Sequence, residues 1–322
     1  TFVENSGRSL AMMNMSSQSS PDTSYPELEK ALAGAQLPAL PQSAIRLLEL
    51  SRNPDNGPAE YAQPIEADPG LSSQVLRFVN SSYFGFSQEI SNIKQAITLV
   101  GVRTIKNFAL WSAVFSLLPN PKCGPFDLKY LWQDSLRRAL FARMLGKLLG
   151  QKEMEDIFTA GLLQDLAIPI LAKEKPVEYR RLLEESLSQG TPLSVLEQKV
   201  FGWTHADAGG FLLRQWHLPK NLAELVEGHT RLEEWVACPT KEGARLVVAL
   251  SALLPTVGSA HWTELGRLEE AYGRLTGSKG CTLEQIFIQI DEDFADFAPI
   301  LKITHPPKSL TLTYHEALAS IG

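Results

Sequence analysis

The chain is short of several features that would narrow its chemistry by their presence. It has three cysteines in 322 residues, Cys123, Cys238 and Cys281, far apart and without a CxxC pair. An odd, scattered set argues against a disulfide framework or a zinc-thiolate site and fits a reducing cytosol. Positive charge is also short: 30 Lys and Arg against 36 Asp and Glu leave a formal charge of −6. Such a balance has no general attraction for phosphate backbones, so nucleic acid is not an expected partner. No long apolar run occurs. Leu246 to Leu254 is the longest candidate before Pro255 stops it, far below the roughly 20 residues needed to span a bilayer. No Walker-type glycine loop, dinucleotide fingerprint or nucleophile elbow is found. Nor is there a convincing run of period-two alternation before residue 309, which argues against a sheet protein.

What is present is an ordinary globular composition, 44% apolar and 20% charged, in a chain long enough for two lobes. The first 25 residues are rich in Ser, Asn and Met, with only Leu10 to Met13 apolar. They read as a flexible tail with no secretory signal. From Tyr25 onward apolar residues recur three and four apart, the pattern of helices. One helix starts near Asp127, with Leu128, Leu131, Trp132, Ser135, Ala139, Ala142, Leu145 and Leu149 on one face and Gly150 as its stop. Arg137, Arg138, Arg143 and Lys147 spread over the other faces and read as solvated surface. The six tryptophans sit mostly among Leu and Ala at helical spacing and are expected in the core.

Starts and stops follow the usual grammar. Asp68-Pro69 places a capping carboxylate before a proline at the first helical position, and Thr191-Pro192 repeats the device. Gly190 and Gly202 punctuate the helices around the second pair. Pro119 to Pro125 is the strongest internal break, with a second near Pro255 to Ser259. These divide the chain into a tail (1–25), an N-terminal helical lobe (26–120), a central lobe (126–258) and a mostly helical extension (259–322). Leu310 to Tyr314 reads as a short strand or an extended tail.

Two ordered blocks of residues carry a family likeness. The first holds Leu37-Pro38, Leu40-Pro41, Ile65, Asp68-Pro69, Leu71, Leu76, Asn80-Ser81, Tyr83, Ile93, Ala96-Ile97 and Gly101. The second holds Trp132, Ser135, Gly161-Leu162-Leu163-Gln164-Asp165, Glu197, Gly202, His205, Gly209, Trp216, Leu218-Pro219 and His229. Over roughly residues 28–255 the chain resembles the HDOD family, bacterial signalling domains related to HD-type metal phosphohydrolases. The resemblance implies an all-helical, HD-like bundle.

It also implies where a metal centre would lie. HD hydrolases bind one or two divalent ions through histidines and aspartates, which acidify a bound water and neutralise phosphoryl charge. The naming His-Asp pair falls at Gln164-Asp165, so its histidine is replaced by a carboxamide, a poor ligand beside imidazole. An earlier histidine corresponds to Asp134. The late aspartate falls near Ser251 or Ala252, and no acidic residue occurs between Glu242 and Glu264. Asp165, His205 and His229 survive. The expectation is therefore no metal, no cofactor and no catalysis at the degenerate positions Asp134, Gln164, Asp165, His205 and His229.

Each survivor also has a plain structural reading. Asp165 lies between Leu162-Leu163 and Leu166-Ala167-Ile168, so it should be partly buried and need a partner, with Ser135, Gln164 or His205 available. His205 opens a helix that Thr204 can cap. His229 ends a helix, where a cationic imidazole favours the dipole. Asn80 and Ser81 sit at a helix end and can bond local backbone groups ahead of Tyr83. Alternatively, Asn80, Ser81 and Tyr83 contact a partner. The functional expectation is a non-catalytic, cytoplasmic bacterial regulator that binds a signalling protein or small ligand between its lobes, without nucleic acid or membrane. The alternative is a divergent metal-dependent phosphohydrolase acting on a nucleotide or cyclic dinucleotide through Asp134, Asp165, His205 and His229. The sequence leaves the oligomeric state open.

Overall fold

Helix ends fall where side chains can satisfy the orphan N–H groups of a first turn. Asp68 accepts from Leu71 N–H at 3.0 Å and from the Ser43 hydroxyl at 3.0 Å, with Pro69 opening the helix. Asp127 caps the long central helix in the same way. The computed structural model describes residues 26–33, 39–81, 84–237, 242–277 and 281–321. The tail expected over 1–25, together with Leu37, Pro38, Tyr83 and Cys238, lies outside the described residues.

Among the described residues all regular structure is helical and no strand occurs. The N-terminal part runs through α1 (Pro26–Ala33), α2 (Gln42–Leu50), α3 (Pro58–Glu66), α4 (Pro69–Val79), α5 (Ile93–Val100) and α6 (Val102–Leu117). The central part follows as α7 (Leu128–Leu148), α8 (Met154–Leu163), α9 (Ala167–Glu174), α10 (Pro176–Gln189), α11 (Leu193–Phe201), α12 (His205–Gln215), α13 (Lys220–Glu227), α14 (Leu232–Val236) and α15 (Gly243–Ser251). The chain closes with α16 (Leu265–Thr276), α17 (Leu283–Ile300) and α18 (Leu310–Ile321).

One continuous apolar core runs from Leu28 to Leu310. Phe78 of α4 stacks on Phe108 of α6 with centroids 4.2 Å apart and reaches Phe297 of α17 at 6.1 Å, while Phe158 of α8 meets Phe297 at 5.7 Å. These rings join the N-terminal helices, α8 and the C-terminal extension into one packing unit. Trp111, Trp203, Trp216 and Trp262 are buried, and Trp132 and Trp235 pack against the core, as their spacing predicts. Among the described residues no helix is long and apolar enough to cross a membrane.

Three sequence expectations change. Thr191 makes no capping bond: Pro192 is extended (φ −54°, ψ 133°) and is itself the residue before α11. Leu310 to Tyr314 is helix, neither strand nor tail. Asp291 of α17 accepts from Leu310 N–H at 2.7 Å, Thr311 N–H at 2.9 Å and the Thr311 hydroxyl at 2.7 Å. The Ser309 hydroxyl accepts from Leu312 N–H at 3.1 Å, completing the first turn. A cap that comes from another helix leaves no local sequence mark.

The third change concerns the arginines of α7. Arg137 and Arg138 are not solvated; they are 4% and 8% exposed. The extension lies against Gln133 and Arg137, while Arg138 turns to Asp165. Gln133 donates to the Thr304 carbonyl at 2.8 Å and to its hydroxyl at 3.0 Å, Arg137 donates to the Lys308 carbonyl, and Asp134 accepts from Val257 N–H at 2.8 Å. We expect Asp291→Ala to lower stability by about 1–2 kcal/mol in urea unfolding, the range for a lost helix cap, and to open a proteolytic site between residues 304 and 311. Unchanged stability and cleavage would show that α18 does not depend on Asp291.

Candidate functional site

Two close helix contacts assemble a buried polar cluster. Gly161 lets α8 lie on α7 so tightly that a Cβ there would stand 2.6 Å from the Ala139 Cα. That approach sets Asp165, in the turn between α8 and α9, against Arg138 of α7. Gly209 does the same for α12 on α13, where a Cβ would meet Val226 Cγ1 at 2.9 Å. His205, first in α12, and His229, two residues past α13, thereby face each other. Thr204 caps α12, as the sequence predicts; Asp207 completes a reciprocal box with it, and Arg231 holds the far oxygen of Asp207 at 2.7 Å.

The cluster reads outward from Asp165. Its Oδ2 is paired with the Arg138 guanidinium. Its Oδ1 lies 3.4 Å from His205 Nε2 and 3.6 Å from His229 Nε2, and the two Nε2 atoms are 3.2 Å apart. His229 Nδ1 lies 2.6 Å from the Val226 carbonyl oxygen, which can only accept, so Nδ1 carries the hydrogen. His205 Nδ1 lies 2.6 Å from Glu197 Oε2, which also accepts from His205 N–H at 2.7 Å. Glu197 Oε1 in turn accepts from the Tyr179 hydroxyl at 2.6 Å. Both Nε2 atoms thus face Asp165 Oδ1.

Burial sets the electrostatics. His229 is held well below the ordinary imidazole range, first by burial and then by the neighbouring His205. It is therefore neutral, not the cation at a helix end that the sequence suggests. Burial pushes the Tyr179 hydroxyl well up, with the Glu197 carboxylate adding to it. Burial pushes Asp134 up to about 6, against the pull of Arg138, the Val257 N–H and Arg137.

Of the five degenerate positions, Asp165, His205 and His229 come together, with their ligand atoms all within 4.8 Å. Gln164 and Ser251, the two positions where ligands are missing, meet each other instead. The Ser251 hydroxyl lies 3.4 Å from Gln164 Oε1 while donating to the Val248 carbonyl at 2.6 Å. Gln164 Nε2 is buried without a hydrogen-bond partner among the described residues. Asp134 stays outside the trio, occupied by Val257 N–H. Asn80 closes the loop after α4: it donates to the Leu76 and Ile90 carbonyls and accepts from Ile90 N–H at 2.7 Å. Ser81 donates to the Phe78 carbonyl at 2.7 Å.

Arg138, Glu197 and Tyr179 were not among the predicted site residues. Arg138 had a readable signal. Gln133 through Ala142 are all buried, and the apolar residues Leu136, Ala139, Leu140, Phe141 and Ala142 cover every face of that stretch. Apolar residues on every side of a helix mark it as enclosed, although Gln133, Asp134, Ser135 and Arg137 dilute the mark here, and an enclosed arginine needs an anion. Glu197 and Tyr179 gave no comparable mark.

Two imidazole nitrogens and a carboxylate oxygen suit a divalent ion of the zinc class. A tetrahedral centre with bonds of about 2.0–2.1 Å has ligand-to-ligand edges of about 3.4 Å. The trio's edges of 3.2, 3.4 and 3.6 Å match that figure. Asp165, His205 and His229 are the residues that would hold such an ion.

The chain matches the model of the HDOD domain over residues 37–232. It is 27% identical over 197 residues, 60% of this chain, to an uncharacterized protein of Treponema pallidum (strain Nichols). The chain spans 38% of that relative's length. Among solved structures it resembles an HDOD domain protein of unknown function from Geobacter sulfurreducens, with TM-score 0.59, 19% identity, and coverage of 92% of this chain and 94% of that one. It also resembles a protein of Shewanella amazonensis SB2B described as a candidate phosphohydrolase, with TM-score 0.64, 20% identity, and coverage of 86% and 97%. At these identities the two structures speak to the fold alone.

Arg138→Met would strand the Asp165 carboxylate, at an expected cost of about 3–5 kcal/mol in urea unfolding at pH 7. Adding Asp165→Asn should recover a large part of that loss; strictly additive losses would mean that the pair is not coupled. For Asp134, a folded value of about 6 against the usual 3.8 means that the folded chain takes up the proton first. Its contribution to stability therefore rises as pH falls from 7 toward 4, by up to roughly 3 kcal/mol at about 1.4 kcal/mol per unit. Asp134→Asn should be more stable than the parent at pH 7, with most of that advantage gone near pH 4. An advantage that does not change with pH would refute the assignment.

Proposed function

The chain belongs to the HDOD family, and from that membership we propose that it is a regulatory signal-transduction module that binds a protein or small-molecule partner and does not itself hydrolyse phosphoesters. The observation that carries the reading is the Arg138–Asp165 ion pair. The carboxylate that survives from the His-Asp pair has one oxygen committed to a buried guanidinium. Metal-assisted phosphoryl transfer needs an open coordination position and room for the phosphate. Here Asp165, His205, His229, Gln164 and Ser251 are all 5% exposed or less. With glutamine and serine at 164 and 251, a second ion has no ligands from those positions.

The polar frame then serves to hold a binding surface in shape. Asp156 of α8 ties the lobes together, accepting from Arg103 at 3.0 Å and Asn107 at 2.9 Å of α6 and from Asn221 of α13 at 2.6 Å. Beside it lies a cleft of about 280 Å³ lined by Gln151, Glu153, Asn221, Glu224, Glu242 and Arg245. That cleft, lined by the central lobe alone, is where we place a small ligand or a peptide side chain. A cytoplasmic location goes with this reading.

The second reading, a divergent phosphohydrolase acting on a nucleotide or cyclic dinucleotide, draws on the convergence of Asp165, His205 and His229. Turnover of cyclic dinucleotides and of an activated phosphodiester, measured with Mn, Mg or Fe(II) added, separates the two. The regulatory reading expects none above the buffer rate. Turnover that Asp165→Asn abolishes, with helical content retained by circular dichroism, would replace it with the second reading.

A further inference from the structure

The last helix is held differently from the one before it. α17 is anchored in the core through Phe287, Ile290, Phe294 and Phe297. Beyond Ile303, whose N–H donates to the Ala298 carbonyl at 2.8 Å, burial nearly stops: from Thr304 to Ser320 only Leu310 is buried. Tyr314 is half-buried, its ring 5.1 Å from Phe287 and 6.2 Å from Trp262, while Leu312 and Leu318 are 46% and 41% exposed. Residues 303–309 form no helix, and Pro306 and Pro307 have no N–H to give. What fastens 304–321 is mainly polar. Gln133 and Arg137 of α7 hold the Thr304 and Lys308 carbonyls, and Asp291 of α17 holds the first turn of α18. Tyr314 donates to Glu269 at 3.1 Å, and His315 pairs with Glu284 at the surface.

The seam beneath this segment is imperfect. Gln133 Oε1 and Arg137 Nε are buried with no hydrogen-bond partner among the described residues. A buried polar atom left unpaired costs free energy that water returns when the seam opens. Burial also pulls the Arg137 guanidinium down from its ordinary range, with Asp134 and Asp291 pulling back. Lys302, where the chain leaves α17, lies in the left-handed region at φ 55°, which a residue with a Cβ occupies at a cost. Opening thus sacrifices little apolar burial, relieves two unpaired atoms and has a strained residue to turn on.

We propose that residues 304–321 form an arm that opens as a unit about Lys302 while the rest of the chain stays folded, and that this arm governs access to Gln133 and Arg137. Segments with few buried apolar contacts open at a free energy below that of global unfolding. Closed, the arm satisfies a carboxamide and a guanidinium one turn apart on α7; open, it gives both donors to solvent or to a partner. Arg138, the next residue of α7, takes no part, because its partner Asp165 lies between α8 and α9 and does not leave with the arm. The device is separate from the cleft, and its opening is read without a ligand.

Two measurements on the full chain test it. In native-state hydrogen exchange the amides of 310–320 should exchange together, about 100-fold faster than those of α7 and α12. Low urea should barely change their rate while speeding the α7 and α12 amides steeply, since a small opening exposes little surface. Phenylglyoxal, which modifies accessible guanidinium groups, should label Arg137 and spare Arg138, its neighbour on the same helix. Asp291→Ala, which removes the cap of α18, should speed the labelling of Arg137 by about 10-fold. If that variant does not fold, exchange and labelling of the parent decide. The same protection and urea dependence in α18 as in α7 overturns the proposal, as does equal labelling of the two arginines or an unchanged Arg137 rate in a folded variant.

Discussion

A guanidinium and a carboxylate buried together constrain everything around them, because neither can move without leaving the other uncompensated in a medium that penalises lone charge. Arg138 and Asp165 stand in that relation. Asp165 reaches α7 only because α8 crosses it at Gly161 with no side chain between. Arg138 is buried where α7 meets the turn that carries Asp165. The histidines then complete the surroundings of Asp165, and Glu197 and Tyr179 complete those of His205. The polar centre is one connected set of bonds, and a change at one member is felt by the rest.

Such a centre separates keeping a shape from doing chemistry. A hydrolytic metal site needs reach to solvent, and Asp165, His205 and His229 are all 5% exposed or less. What it does supply is rigidity at the junction of α7, α8, α12 and α13. Asp156, with donors from α6 and α13, extends that network from the central helices to the N-terminal ones.

Much of the fold is legible in the sequence because its signals are local. The Asp68-Pro69 start, the Asp127 cap, the Thr204 box and the glycine stops at 190 and 202 all act within a turn or so of where they stand. What was misread depends on contacts made far along the chain. Gln133 with Thr304, and Arg137 with Lys308, are each 171 residues apart; α18 is capped by Asp291, from a different helix. No periodicity marks such pairings. The site shows the same division. Asp165, His205 and His229 could be named from residue type and family pattern, but their convergence on one point, and the Arg138 cation beside them, depend on how four helices cross.

The polar stripe of α7 has a consequence for how the protein is made. Gln133, Asp134 and Arg137 bond Thr304, Val257 and Lys308, so these bonds cannot form until more than a hundred further residues have left the ribosome. During that interval the nascent chain carries a wet, charged seam along the helix meant to run through its centre. Domains usually condense as units during synthesis; this one has a middle that can close only when its last helices arrive, and contacts of such sequence separation make closure slow.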